Sequence, residues 1–361
     1  MERELAALLQ GAPELGDPEA EYNAFSEGCA LTLRGDRGAV LVAGERRAEM
    51  LNGLVTNRVT DLKDTGRHAL LLNRKGKVLA ELRVFPRAED MLLDVPRSGL
   101  ENLLATFKKH LPPIYASFED ASDSVGQLGL YGTEAAPTFA DFGFEAPTEP
   151  LGIREIAVEG APVLAIRNRR LAGDGVELIA PREAMPDLMG RLLAVAREHG
   201  GRAAGSRALE VVRVESGVPR YGADITESNL TRETGLEEEA VSFDKGCYLG
   251  QEVVARVHFR GHVNQLLCKL RFYRSAAPLK APETWSALPP VGATLYRRQD
   301  EVGTVTSAVL SPRFGPIGFG YVRREIALSK VLLRLRWSDA GRDGEAVLDG
   351  PPLEPFQDPS V

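Results

Sequence analysis

Cysteine is scarce in this chain of 361 residues: Cys29, Cys247 and Cys268 are widely spaced and odd in number. No C-x-x-C pair is present, which removes the usual frame of a structural zinc or an iron–sulfur cluster and points to reduced thiols. Long apolar runs are missing too. Nothing approaches the ~20 residues that span a bilayer, and the opening MERELAALLQGAPELGD lacks a signal peptide's basic flank, so a cytoplasmic protein is expected. Positive charge is not in excess either, with 44 Lys and Arg against 51 Asp and Glu, a net charge of −7. A broad nucleic-acid surface is therefore not expected, because such affinity comes largely from clustered cations. The local groups Arg67, Arg74, Lys75 and Lys77, and Arg256 with Arg260, are candidates for a local basic patch, with a solvated face as the plainer alternative. Nucleotide loops are also lacking, since Gly315-Pro316-Ile317-Gly318-Phe319-Gly320 fits neither the dinucleotide nor the P-loop spacing and reads as barrel turns.

What is present is a globular composition, 43% hydrophobic and 26% charged, in a length that suits two or three packed domains. Apolar runs flank Arg34-Gly35-Asp36-Arg37-Gly38 and predict a hairpin over 29–42. Met50, Leu51, Leu54 and Val55 fall at helical spacings and predict a helix over 45–57. Strand-like runs over 68–72 and 77–85, joined by Asn-Arg-Lys-Gly, predict a second hairpin. Amphipathic helices are expected over 100–110, closed by Pro112-Pro113, and over 182–198. Another is expected over 206–215, with Leu209 and Val212 inward and Gly217 as its stop. Five short apolar runs after residue 262, separated by turn residues, predict a small antiparallel barrel.

Chemistry concentrates in Lys245-Gly246-Cys247-Tyr248-Leu249-Gly250-Gln251-Glu252. Its glycines give the backbone access to tight or positive-φ geometry beside a thiol, where a ligand can approach the main chain. Lys245 and Arg256 are candidates to stabilise a reactive Cys247 thiolate; the plainer alternative is a small buried cysteine in a glycine-bounded turn. His258 and His262 lie four apart, but Gly261 interrupts any helix that would align them, so no metal site is assigned.

The octapeptide resembles the signature of the YgfZ family: Lys-Gly-Cys, an aromatic residue, any residue, then Gly-Gln-Glu. It is joined, in the family's order, by Leu54-Val55-Thr56-Asn57-Arg58-Val59 and by the stretch from Ala69 through Asn73-Arg74-Lys75-Gly76-Lys77 to Arg83. The family and its relative, the glycine-cleavage T-protein, share an Arg-x-Glu-x-Gly element that here is Arg213-Val214-Glu215-Ser216-Gly217. The resemblance implies an α+β fold of three domains around a central opening. The first two would be interleaved, 25–125 with 206–262 and then 126–205, followed by a C-terminal barrel over 263–345, with poorly ordered tails at 1–24 and 349–361.

It further implies tetrahydrofolate or a one-carbon derivative as cofactor, with Glu215 facing the pterin and Arg213, Tyr221, Lys245, Gln251 and Arg256 contributing to its site. Cys247 becomes the reactive thiol, and iron–sulfur proteins or assembly factors become the partners, with effects on iron–sulfur enzymes that modify tRNA. A carboxylate suits a pterin, because it accepts two parallel hydrogen bonds from a 2-amino group and a ring N–H. One departure matters. Where the T-protein carries two consecutive aspartates and uses the first in catalysis, this chain has Ala80-Glu81, and a strand would turn Glu81 to the opposite face. The implied function is thus a folate-dependent accessory factor, with a T-protein-type aminomethyltransferase or demethylase as the alternative.

Overall fold

The structure, a computed structural model, describes residues 2–273, 288–329, 334–339 and 342–350. They pack into two compact units: Met1–Leu72, Leu79–Val212 and Ala240–Leu249 form the first, and Asn73–Val78, Arg213–Glu239 and Gly250–Val361 the second.

The first unit holds two sheets. One has six strands in the order Arg202–Ala203, Ala30–Leu33, Val125–Tyr131, Gly175–Pro181, Ala161–Arg167 and Ile153–Val158. Only its first pairing is parallel. The early strand Ala30–Leu33 therefore joins the sheet built by the middle of the chain, while Arg37–Ala43 belongs to the other sheet, so the hairpin expected over 29–42 does not form. The other sheet has five strands, ordered Arg67–Leu72, Val78–Pro86, Asp90–Pro96, Arg37–Ala43 and Ser117–Asp120.

Strand periodicity assigns the faces. Ala80, Leu82 and Val84 join Val40, Leu93, Leu103 and Phe107 in one buried cluster, which the helix Arg97–His110 covers. The alternate residue Phe85 meets Leu92, Leu164, Ile166 and Ile179, where the two sheets face each other.

That inter-sheet layer is also charged. Arg34 donates to Tyr131 Oη at 2.7 Å and Glu177 Oε1 at 2.8 Å, and Arg83 pairs Glu177 Oε2 at 2.6 Å and Asp94 Oδ2 at 2.6 Å. Arg37 grips Asp94 with both arms at 2.8 Å. Burial alone would raise the Glu177 carboxyl, but the Arg83 and Arg34 charges, helped by Tyr131 and Asn168, hold it at about 2. Glu81 behaves likewise: burial is outweighed by the bond and charge of His68, 3.1 Å away, then by Arg37 and Arg170, and its carboxyl lies at about 2.

In the second unit six strands close into an antiparallel barrel: Gln265–Tyr273, Gly315–Arg323, Asp300–Ser311, Thr294–Arg297, Arg334–Asp339 and Arg342–Leu348. Leu270, Phe272, Leu295, Val305, Val322 and Trp337 fill its core, while Leu267, Ile317 and Phe319 pack outward against Val214.

The beginning of the chain departs from expectation. Instead of a frayed tail it forms helices Glu2–Leu9 and Pro18–Glu27, with Leu8 in the core of the first unit. Asp17 caps the second helix by accepting from Ala20 N at 3.1 Å ahead of Pro18, and buried Glu21 accepts from Leu15 N at 2.6 Å and Gly205 N at 2.9 Å. At the other end Asp349 is fixed by Arg271 at 2.9 Å, and 351–361 lie outside the described residues. The helix expected over 45–57 is only Arg47–Asn52. The chain turns at Gly53, and Thr56 pairs its N–H with Leu70 O at 2.9 Å, as no continuing helix allows.

Candidate functional site

The seven candidate residues divide between the units: Lys245 and Cys247 lie in the first, and Arg213, Glu215, Tyr221, Gln251 and Arg256 in the second.

In the first unit the signature segment lies along the turn that follows the helix Arg47–Asn52. Thr56 Oγ1 donates to Ala240 O at 2.6 Å, Ser242 N to Thr56 O at 3.1 Å, and Leu249 N to Gly53 O at 3.2 Å. Lys245 Nζ donates to three main-chain carbonyls, Asn52 O at 2.6 Å, Val55 O at 2.7 Å and Asn57 O at 2.8 Å. Burial, and then the charge of Arg58, pull its ammonium down to about 7. The cation expected to serve the thiolate is thus directed at the backbone. Cys247 itself is exposed, which rules out the small buried cysteine. Cys29 and Cys268 are buried, and burial pushes both thiols up to about 12. Ala80 is fully buried among apolar side chains, and Glu81 points to the opposite face toward His68.

In the second unit, Arg213 and Glu215 end the helix Ser206–Glu215. Gly217, at φ +74°, closes it by donating to Val214 O at 2.9 Å, and Val218 N returns to Arg213 O at 3.1 Å. The helix thus stops where its glycine was expected to stop it. Glu215 is half-buried, not solvated as an isolated helix-end glutamate would be, and it accepts from the Ser311 hydroxyl of the barrel. Arg213 is buried; it donates to Asp224 Oδ2 at 2.8 Å and Ser307 Oγ at 3.0 Å. Asp224 also accepts from Thr306 Oγ1 at 2.7 Å, Ser307 Oγ at 2.6 Å and Arg220 N at 3.1 Å. Tyr221 is buried at the start of this turn.

Gln251 opens the helix Gln251–Arg260 behind Gly250, which sits at φ +84°, so one of the two signature glycines does adopt the left-handed geometry. Arg256 lies exposed on that helix. His262 falls beyond its end, while His258 Nδ1 pairs with Glu237 Oε2 at 2.8 Å. Among the described residues no group of three or more His, Cys, Asp or Glu side chains could hold a metal ion, and no helix is long and apolar enough to cross a membrane.

The hairpin tip Asn73–Val78 counts with the second unit. Asn73 Oδ1 caps its turn through Lys75 N at 2.8 Å and Lys77 N at 3.1 Å, and Val78 N bonds Asn229 O at 3.0 Å. Gly76 is required there: its φ is +71°, and a Cβ would lie 2.9 Å from the Val253 side chain. Elsewhere, a groove of about 390 Å³ opens at the rim of the two sheets of the first unit, over Val125, Leu164 and Ile179. None of the candidate residues lines it.

Sequence reasoning missed Asp224, Ser307 and Ser311. It also missed the carbonyls that receive Lys245, for which side-chain identity offers no signal.

This arrangement of sheets and barrel is the fold of glycine-cleavage aminomethyltransferases. The enzyme T of the glycine cleavage system from Bartonella henselae superposes with a TM-score of 0.80 at 19% identity, covering 93% of this chain and 90% of that one. The chain belongs to the GCVT N-terminal domain family, whose model matches residues 17–245, more than half of its length. Curated relatives include an aminomethyltransferase of Thermoanaerobacter pseudethanolicus, 22% identical over 340 residues, 93% of this chain and 86% of the relative. An aminomethyltransferase of Halalkalibacterium halodurans is 26% identical over 284 residues, 76% of this chain and 73% of the relative. An iron-sulfur cluster assembly factor homolog, mitochondrial, from Aspergillus fumigatus is also 26% identical, over 326 residues, 82% of this chain and 70% of the relative.

Proposed function

We propose that this protein is a cytoplasmic YgfZ-type factor that binds a reduced folate and supports iron–sulfur cluster assembly or repair, and that it does not transfer aminomethyl groups. The observation that carries the reading is Ala80. It stands where the T-protein's catalytic aspartate falls by resemblance, it is buried among apolar side chains, and the neighbouring Glu81 is committed to His68 on the opposite face. A proton-handling or charge-stabilising carboxylate has no counterpart at that position. The exposed Cys247 thiol within its signature, and a relative named as an iron-sulfur cluster assembly factor, support the accessory role.

The donor set fits a folate. Glu215 is a half-buried carboxylate steadied by Ser311, and its oxygens suit the parallel N–H donors of a pterin. Tetrahydrofolate, when bound, supplies a nitrogen that carries or accepts a one-carbon unit. Tyr221, Gln251 and Arg256 remain candidates to contact it, whereas buried Arg213 is better read as positioning Glu215, because its guanidinium is spent on Asp224 and Ser307. Iron–sulfur proteins or their assembly factors are the proposed partners.

The aminomethyltransferase reading keeps one point in its favour, the names of relatives at similar identity. Two measurements decide. Titration calorimetry with tetrahydrofolate should find binding to the wild type and a loss on the order of 2 kcal/mol, about thirtyfold in Kd, for Glu215→Gln. An assay with an aminomethyl-lipoyl carrier should yield no methylene-tetrahydrofolate; efficient production would restore the enzyme reading.

A further inference from the structure

A lysine ammonium carries three N–H donors and no acceptor, so three convergent carbonyls satisfy it completely. We infer that Lys245 is a positioning residue for Cys247: its ammonium clamps the signature segment to the turn 52–57 through the carbonyls of Asn52, Val55 and Asn57, instead of serving the thiol or a ligand. Asn52 is the last residue of its helix, so Lys245 also satisfies a carbonyl that the helix leaves without an internal partner, at the end where the helix dipole favours a cation.

The clamp does not act alone. Arg58 donates to Asp244 O, Ser242 N and the Thr56 hydroxyl tie the near side, and Leu249 N ties the far side to Gly53 O. The Tyr248 ring lies 5.1 Å from the ammonium and covers it. Cys247 sits between these ties, two residues from the clamp and two from Leu249, with its side chain exposed. The result is a fixed backbone presenting a free thiol. An arginine would not substitute, because its planar fork does not aim donors at three carbonyls converging on one point. The clamp stands without the folate reading; only the use made of a fixed thiol rests on that reading.

The test uses the full-length protein without folate. An exposed lysine acylates freely through its small amine fraction. A clamped one is slow. In wild-type protein treated with an N-hydroxysuccinimide ester, peptide-resolved rates should place Lys245 at least tenfold below the exposed Lys63, Lys75 and Lys108; a rate equal to or above theirs overturns the clamp. In Lys245→Met and Lys245→Arg, a nitroxide on Cys247 should change from a restricted to a mobile spectrum and Leu249 N–H exchange should accelerate, with exchange in the barrel unchanged. An unchanged spectrum in a folded Lys245→Met protein also overturns it. If that variant does not fold, the wild-type acylation rates decide. Folate titration is independent of both readouts, so loss of the folate reading and loss of the clamp are told apart.

Discussion

Two regions of the first unit take charge out of water in opposite ways. Between the sheets, guanidinium and carboxylate groups answer each other: Arg34 and Arg83 share Glu177, and Arg37 and Arg83 share Asp94. In the signature segment a single ammonium answers main-chain carbonyls, and the Cys247 side chain two residues on stays exposed. The first arrangement spends its polar capacity on joining two sheets. The second spends a charge on backbone shape. The identity of the partner, more than the depth of burial, separates a charge that serves the fold from one that prepares a surface.

The widest contrast should appear in thiol chemistry. With Cys29 and Cys268 held at about 12, their thiolate populations near neutral pH fall about three orders of magnitude below that of an ordinary thiol, and burial slows them further. Iodoacetamide should therefore label one cysteine in the native protein and three after denaturation, as read by mass spectrometry. Labelling of Cys29 or Cys268 at a rate near that of Cys247 would erase the distinction between sealed interior and presented segment.

Next in size is the inter-sheet layer. Glu177→Ala leaves Arg34 and Arg83 without their shared carboxylate and should cost about 3–5 kcal/mol in chemical denaturation, because a buried charge then lacks its partner. A loss below 1 kcal/mol would mean that the layer is not a closed set of pairs.

Acid sharpens the same point. The Glu81 and Glu177 carboxyls lie at about 2 in the folded protein, against the ordinary 4.5, so the unfolded chain takes up these protons first. The stability they contribute is complete above pH 4.5 and is lost as pH falls from there toward 2. Denaturation midpoints measured across that range should fall less steeply for Glu81→Gln than for the wild type. Equal slopes would show that the His68 pair contributes nothing to acid sensitivity.

The smallest effect belongs to the second unit. Ser311 donates to Glu215 and accepts from Arg313 N at 3.1 Å and Phe314 N at 2.8 Å. Ser311→Ala should weaken tetrahydrofolate binding by about 1 kcal/mol, less than Glu215→Gln, with no change in Cys247 labelling. An affinity unchanged by this substitution would remove Ser311 from the support of the carboxylate.

Where the sequence was legible, local physics explains why. Helix periodicity marked Arg97–His110 and Met185–Glu198, Gly217 marked the stop of a third helix, and spaced apolar runs marked the barrel. The Asp17-Pro18 start signal was equally local, and the helix it opens was overlooked beside a polar, proline-containing opening. The overlong helix at 45–57 came from Leu54 and Val55 keeping the period past Gly53, while the carbonyls beyond were drawn to Lys245. Long-range pairs leave no such trace: Arg34 and Glu177 are 143 residues apart, and Arg37 and Asp94 are 57 apart. The candidate residues were named as residue types through family resemblance alone. Their supports, Ser311, Asp224 and a set of peptide carbonyls, were not, because serine and backbone look alike everywhere in a sequence.

The unit assignments bear on how the gene can be cut. The boundaries between units fall after Leu72, Val78, Val212, Glu239 and Leu249, so no contiguous stretch of codons specifies either unit. A fragment ending at residue 245, where the family match ends, would carry Asn73–Val78 and Arg213–Glu239 but none of the barrel strands with which they are grouped. Such a truncation would divide the second unit instead of isolating a domain, and a tag or fusion partner belongs at an end of the chain, not at the apparent edge of the family match.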